Sequence, residues 1–284
     1  MGIGIALAGG GIRGIAHAGV LKALEDNEIK VEAIGGTSAG SIIAVLYAMG
    51  YKPYYIYILF KRHAKEIIKI ENSPIINGIG NFIKNKKVGV SGLKDGILLE
   101  KMCDEIAERK GIKTIGDIKM PLVIPTVDIQ EAKQYIFTNF VPIKKQDNNF
   151  ITEIQVGKAV RASSSLPAVF CPCEFKNHMF MDGGVLNNIP VIELKNIYNK
   201  KVIAVNFEAD PVEQDSDVMD IIMKTLDIMG NKMSEKALEQ SDYILTVPTD
   251  RTGLLDIEKL DKCYKFGYET VVKNLDKIKK IAEI

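Results

Sequence analysis

Gly9-Gly10-Gly11-Ile12-Arg13-Gly14 follows the apolar run Ile3 to Ala8, and Gly36-Thr37-Ser38-Ala39-Gly40 follows a second apolar run one unit later. A short apolar run bounded by glycines reads as a buried strand, and the stretches behind the two motifs, 15–24 and 39–49, read as helices. Two successive βα units predict an α/β fold. The first motif offers a row of backbone N–H groups with no side chains in the way, an anion cradle at a helix start. In the second, Ser38 turns straight from strand into helix, where Gly36 and Gly40 remove the collisions that such a turn creates. The helix dipole behind Ser38 favours an alkoxide there. A serine before a helix is also an ordinary N-cap; the flanking glycines and the upstream glycine loop favour a nucleophile.

Farther along, Asp182-Gly183-Gly184 sets a carboxylate beside two flexible residues. An oxyanion cradle, a nucleophile and a base are the parts of serine acyl transfer. The first motif also fits the dinucleotide pattern GxGxxG, which needs an acid at the far end of the second strand to hold a ribose hydroxyl. That place is held by Gly36-Thr37-Ser38, and Glu32 lies at the opposite end. A triad needs a histidine, and there are three. His17 falls in an apolar helical stretch and reads as a core residue. His63 lies in a Lys-rich helix and reads as solvated. His178, in a hairpin predicted over 174–181, is the remaining candidate, but no histidine follows Asp182. The α/β-hydrolase order is therefore not met, which points to a two-residue Ser–Asp arrangement.

The three motifs, in this order and spacing, resemble those of the patatin-like acyl hydrolases and phospholipases. The similarity extends through Ala162-Ser163-Ser164-Ser165-Leu166-Pro167-Ala168-Val169-Phe170 and Asp182-Gly183-Gly184-Val185-Leu186-Asn187-Asn188-Ile189-Pro190, and so covers about Gly2 to Pro190. The resemblance implies a three-layer α/β fold, a Ser–Asp dyad cleaving lipid esters, Ser38 as nucleophile and Asp182 as base. It implies oxyanion N–H groups from Gly9, Gly10, Gly11, Ile12 and Arg13, with Gly14, Gly36, Gly40, Gly183 and Gly184 as the motif glycines. Neither metal nor organic cofactor is expected.

Composition agrees. A chain of 284 residues fits one sizeable domain over 1–284. A net charge of +1 gives no global case for nucleic acid. Apolar runs stop well short of the ~20 residues of a membrane span, and the chain opens on its first strand without a leader pattern. Met1-Gly2 resembles a myristoylation start, but Ala6 holds the Ser/Thr position. A cytoplasmic protein is expected. Cys103, Cys171, Cys173 and Cys263 read as buried thiols, because Cys171-Pro172-Cys173 lacks zinc-pair spacing and has no second pair. The acid-rich stretch 208–220 lacks the ligand spacing of a Ca²⁺ loop and reads as a solvated loop opening a helix.

Beyond the two βα units, helices are expected over 52–70, 97–110, 151–163 and 217–240, with strands over 122–128, 134–137, 202–207 and 243–247. A last helix over 257–282 places Leu260, Tyr264, Val271, Leu275, Ile278 and Ala282 on one stripe that should pack on the sheet. Strands alternating with helices predict a mostly parallel sheet with helices on both faces, with ligands at the strands' carboxyl ends. The region 51–90 holds eight Lys/Arg against two Glu and six aromatic residues. It suits a mobile cover over the site, with peripheral contact to anionic lipid; a helix with one core-facing aromatic stripe and one solvated Lys face is the alternative, commoner in soluble proteins. Two other functional classes stay open: a nucleotide-binding Rossmann-type oxidoreductase and a catalytically silent lipid-binding module. The missing ribose acid weighs against the first, and the intact Ser38 and Asp182 against the second.

Overall fold

The computed structural model describes residues 2–68, 94–140, 149–208 and 218–283, the side chains of 68, 218–220 and 223 excepted. Its frame is a sheet of nine strands among the described residues. Strand β1 (Ile3–Leu7) lies between β2 (Val31–Gly36) and β8 (Val202–Phe207), parallel to both. Beyond β2 come β3 (Leu122–Asp128), β4 (Lys133–Thr138) and β5 (Phe150–Ile151); beyond β8 comes β9 (Tyr243–Val247). Every residue of β1 and β3 is buried. Successive strand side chains point to opposite faces, so both faces of the sheet are covered, which is why these strands read as continuous apolar runs rather than alternations.

The first helices are α1 (Ile15–Asp26), α2 (Ala39–Ala48), α3 (Pro53–Ile68) and α4 (Ile97–Glu108). They are followed by α5 (Val156–Ser163), α6 (Val191–Ile197), α7 (Val218–Glu239), α8 (Leu260–Lys273) and α9 (Leu275–Ala282). The mostly parallel central sheet with helices agrees with the expected class. No described helix is long and apolar enough to cross a membrane.

The parallel pattern is broken where the site is built. β3 pairs antiparallel with β4 and also with β7 (His178–Asp182), which forms a hairpin with β6 (Cys173–Phe175). In register, Gly35 of β2 faces Val123 of β3, and Thr126, three residues on, faces Asp182. The antiparallel strand thus ends level with the turn that follows β2.

Three expectations need correction. The 151–163 helix begins only at Val156, because Phe150–Ile151 pairs with β4 as a short strand. The last helix is two, interrupted at Asn274, whose side chain donates to Thr270 O (2.8 Å) and accepts from the Tyr243 hydroxyl (2.8 Å). And α8 packs chiefly along α1, with a smaller contact to β9. A Cβ on Gly267 would stand 1.9 Å from Ala16 O, and one on Gly19 would stand 2.0 Å from Tyr264 O. The absent side chains let the two helices touch backbone to backbone.

Candidate active site

Ser38 stands between β2 and α2 with φ 54° and ψ −126°, a conformation that ordinary residues avoid. The tightness of the turn explains its neighbours. A Cβ on Gly36 would lie 2.2 Å from Gly40 O, and one on Gly40 would lie 2.7 Å from Ala8 O. Ser38 N donates to Ser163 Oγ (3.1 Å), Ser41 Oγ donates to Ser38 O (2.6 Å), and Thr37 Oγ1 donates to Asn187 O (2.9 Å). The strained residue is therefore held from three segments. Its side chain makes no capping bond to α2, so the ordinary N-cap reading does not describe it.

Asp182 is 3% exposed at the end of β7. Its N–H donates to Ser165 O (3.1 Å), and its Oδ1 accepts from Gly184 N (2.8 Å). Oδ2 is buried with no hydrogen bond. Burial pushes the carboxyl up to about 6, against the lowering effect of the nearby Ser38 hydroxyl and of the Gly184 N–H. The hydroxyl lies close enough to favour the charged form without an aligned bond to Oδ2.

The glycine loop follows β1. Gly9 N donates to both Asn188 O and Asn188 Oδ1 (each 3.1 Å), Ile12 N donates to Leu254 O (2.8 Å), and Arg13 N donates to Gly10 O (3.1 Å). Of the five residues expected to supply oxyanion N–H groups, Gly10 and Gly11 have N–H groups without a partner among the described residues. Gly11 has φ +55°, and a Cβ there would sit 2.1 Å from Leu254 O. Arg13 is 3% exposed. Its guanidinium donates to Asp227 Oδ1 (2.7 Å) and Oδ2 (3.3 Å), its Nε to Gly10 O (3.3 Å), and it lies over the Phe207 ring. The Arg13 side chain thus ties the loop to α7.

Two compartments meet at Ser38, sharing Gly11, Ser38, Leu166 and Leu254. One, of about 730 Å³ with its open mouth included, is walled by apolar residues such as Ile42, Leu59, Phe60, Leu99, Met102 and Phe170. The other, about 600 Å³ with its open mouth included, sets the polar groups of Asp182, Asn188 and Asp227 and the backbone of Gly9, Gly10 and Gly184 among apolar residues such as Val185, Leu226 and Met229. A hydroxyl at this junction has an apolar wall on one side and, on the other, a mixed wall that carries Asp182, Asn188 and Asp227.

The histidines divide differently from their sequence reading. His17 is a fully buried core residue as expected. Its Nε2 bonds Ala8 O at 2.8 Å, and burial drives its pKa down to about 4, partly offset by that bond. The ring is therefore neutral and donates from Nε2. His178 Nδ1 bonds Asp128 Oδ2 at 2.6 Å, four residues and roughly 13 Å of strand from Asp182. His63 is corrected: its half-buried ring lines the apolar compartment with Ser38 instead of standing in solvent. Of the region 51–90, residues 69–90 lie outside the described residues, as does most of 208–220. The described part, α3, buries Ile56 in the core and turns Leu59, Phe60 and Ala64 inward as a wall of that compartment. Among the described residues, Asp128, Glu131 and His178 bring potential ligand atoms within 4.8 Å of one another, but the Asp128–His178 pair already joins two of them.

Residues that sequence reasoning did not single out include Ser163, Asn188, Asp227 and Leu254. Asn187-Asn188 was visible as a polar pair within an apolar stretch. Asp227 and Leu254 carry no local signal, because what they do is accept from a distant loop.

A family model described as patatin-like phospholipase matches residues 5–195. Lysophospholipase NTE1 of Candida albicans is 27% identical over 302 residues, covering 93% of this chain and 19% of that protein. Lysophospholipase NTE1 of Eremothecium gossypii is 31% identical over 205 residues, covering 72% of this chain and 12% of that protein. The chain spans less than a fifth of the length of these curated relatives. Among solved structures, VipD from Legionella pneumophila shares the fold, with a TM-score of 0.50, 14% identity, and coverage of 97% of this chain and 67% of that one.

Proposed function

The chain belongs to the patatin-like phospholipase family, and on that premise we propose that it is a serine-dependent lipid acyl hydrolase, of phospholipase A, lysophospholipase or carboxylesterase type. The observation that carries this reading is the place of Ser38, a positive-φ elbow residue at the junction of an apolar compartment and a mixed one that holds Asp182, beside a buried carboxylate with one free oxygen.

In the proposed reaction the acyl chain lies in the apolar compartment and the ester carbonyl lies over Ser38. The hydroxyl gives its proton to Asp182 Oδ2 as its oxygen attacks the carbonyl carbon. Gly10 and Gly11 N–H groups face the developing oxyanion, where a single such donor is worth about 2.7–4 kcal/mol. The intermediate collapses, the leaving alcohol takes the proton from Asp182, and an acyl group remains on Ser38. Water then attacks, passing a proton to Asp182, which returns it to Ser38 as the fatty acid leaves. Asp182 is oriented by Gly184 N and Ser165 O, and Ser38 by Ser163 Oγ, so neither depends on a histidine.

A fluorophosphonate probe tests the assignment. Ser38 is expected to be the labelled serine, and Ser38→Ala to lose labelling and ester hydrolysis at an unchanged melting temperature. Labelling that persists in Ser38→Ala rejects it.

A further inference from the structure

We infer that the outward face of α7 docks this protein on a lipid leaflet, an inference that rests on the lipid-ester reading above. The helix is amphipathic in the reverse sense. Its Gly230, Ser234 and Ala237 are buried on one side. On the other, Ile221, Ile222, Ile228, Met229 and Met233 are 52, 38, 56, 51 and 49% exposed. A helix on a globular domain ordinarily turns its bulky apolar stripe to the core. Here small residues and the partly buried Leu226 and Leu238 face inward while isoleucines and methionines face outward, and a contiguous apolar face of this kind marks an interaction surface.

The uncharged tip of the face and its position choose the occupant. From Ile221 to Met229 the outward residues carry no charge, Thr225 being the polar one among them; the next two turns carry exposed Lys232, Glu235, Lys236 and Glu239, a balanced set in which Lys232 pairs with Glu235. Uncharged apolar tips entering the acyl boundary, with a polar and charge-balanced turn left at the headgroup level, is the pattern of a helix that binds an interface through buried apolar area. Met229 belongs to the outward face and also lines the second compartment, which holds Ser38 and Asp182. A folded protein seated on this face would cover that mouth, whereas a leaflet would present esters to it. The site and the docking face share a rim.

Partitioning onto vesicles of phosphatidylcholine and phosphatidylglycerol tests this, with the protein carrying Ser38→Ala to prevent turnover. Ile221→Ser and Ile228→Ser should each weaken partitioning about tenfold, the factor carried by a well-buried isoleucine. In the active protein both should leave the melting temperature and the hydrolysis of a soluble short-chain ester unchanged, since neither residue lines the site. Parent protein that ignores vesicles, variants that partition like the parent, or a dimer that these substitutions dissolve would each overturn the inference. Soluble-ester hydrolysis without vesicle binding sinks the docking face alone. Vesicle binding that depends on Ile221 and Ile228, in a protein that hydrolyses no ester, supports the docking face and sinks the hydrolase reading.

Discussion

Asp182 links two pH dependences of opposite direction. As a base it must be ionised, so with a carboxyl held up to about 6 the value of kcat/KM should rise with pH through that region and level off above it. For stability the sign reverses. The unfolded carboxyl ionises near its ordinary 3.8, so between about pH 4 and 6 the folded state holds more protons and loses stability as pH rises. His17 acts the other way: lowered from 6.5 to about 4, it costs stability as pH falls through that interval. Asp182→Asn should abolish turnover, melt above the parent at pH 7 to 8, and lose that advantage toward pH 4. A kcat/KM profile flat across the region near pH 6 would reject Asp182 as the base. Gly11 is a poor place for such a test, because a Cβ 2.1 Å from Leu254 O must move the backbone there before it can report on the oxyanion.

Among the elements, the glycine loop is held by α7 through one ion pair. Arg13 and Asp227 are almost fully buried, with side chains 4% and 11% exposed. Removing the carboxylate in Asp227→Ala leaves a guanidinium in the interior, at a cost of about 3 kcal/mol or more. Because Arg13 also bonds Gly10 O, the loop should drift, and kcat should fall more than KM rises if Gly10 and Gly11 act on the transition state. Thermal melting together with steady-state kinetics checks both. A loss of stability with kcat intact would leave the pair a purely structural clamp. Strand readings fared well at this scale: 122–128, 202–207 and 243–247 coincide with β3, β8 and β9. β3 and β8 are buried, largely apolar runs with sharp ends, and β9 is an edge strand that alternates, burying Leu245 and Val247; both patterns are local and need no knowledge of their neighbours. The 151–163 and 257–282 helices failed at points where a tertiary contact intervened, β4 capturing Phe150–Ile151 and Tyr243 meeting Asn274.

For the whole molecule, the close contact between α1 and α8 joins the site to the far end of the chain, since α1 begins directly behind the glycine loop. Gly267→Val places a Cβ on the Ala16 carbonyl, and Gly267 is buried, so the helices must separate. A stability loss of at least about 1–3 kcal/mol is expected, accompanied by slower fluorophosphonate labelling of Ser38; unchanged melting would show that α8 has room to move. The sequence by itself determined the devices that act over a few residues. These are the βα units, the glycines that an elbow at Ser38 requires, the loop of unobstructed N–H groups and the carboxylate at Asp182, because steric demands between near neighbours are written in residue type and spacing. Tertiary structure alone decided which loop donors stay free once Asn188 and Leu254 accept from Gly9 and Ile12, and that His63 faces the apolar compartment. It also decided that α7 turns its isoleucines outward. The register of β7 on β3 and the packing of helices on the sheet settle these, and contacts between distant segments leave no trace in local periodicity.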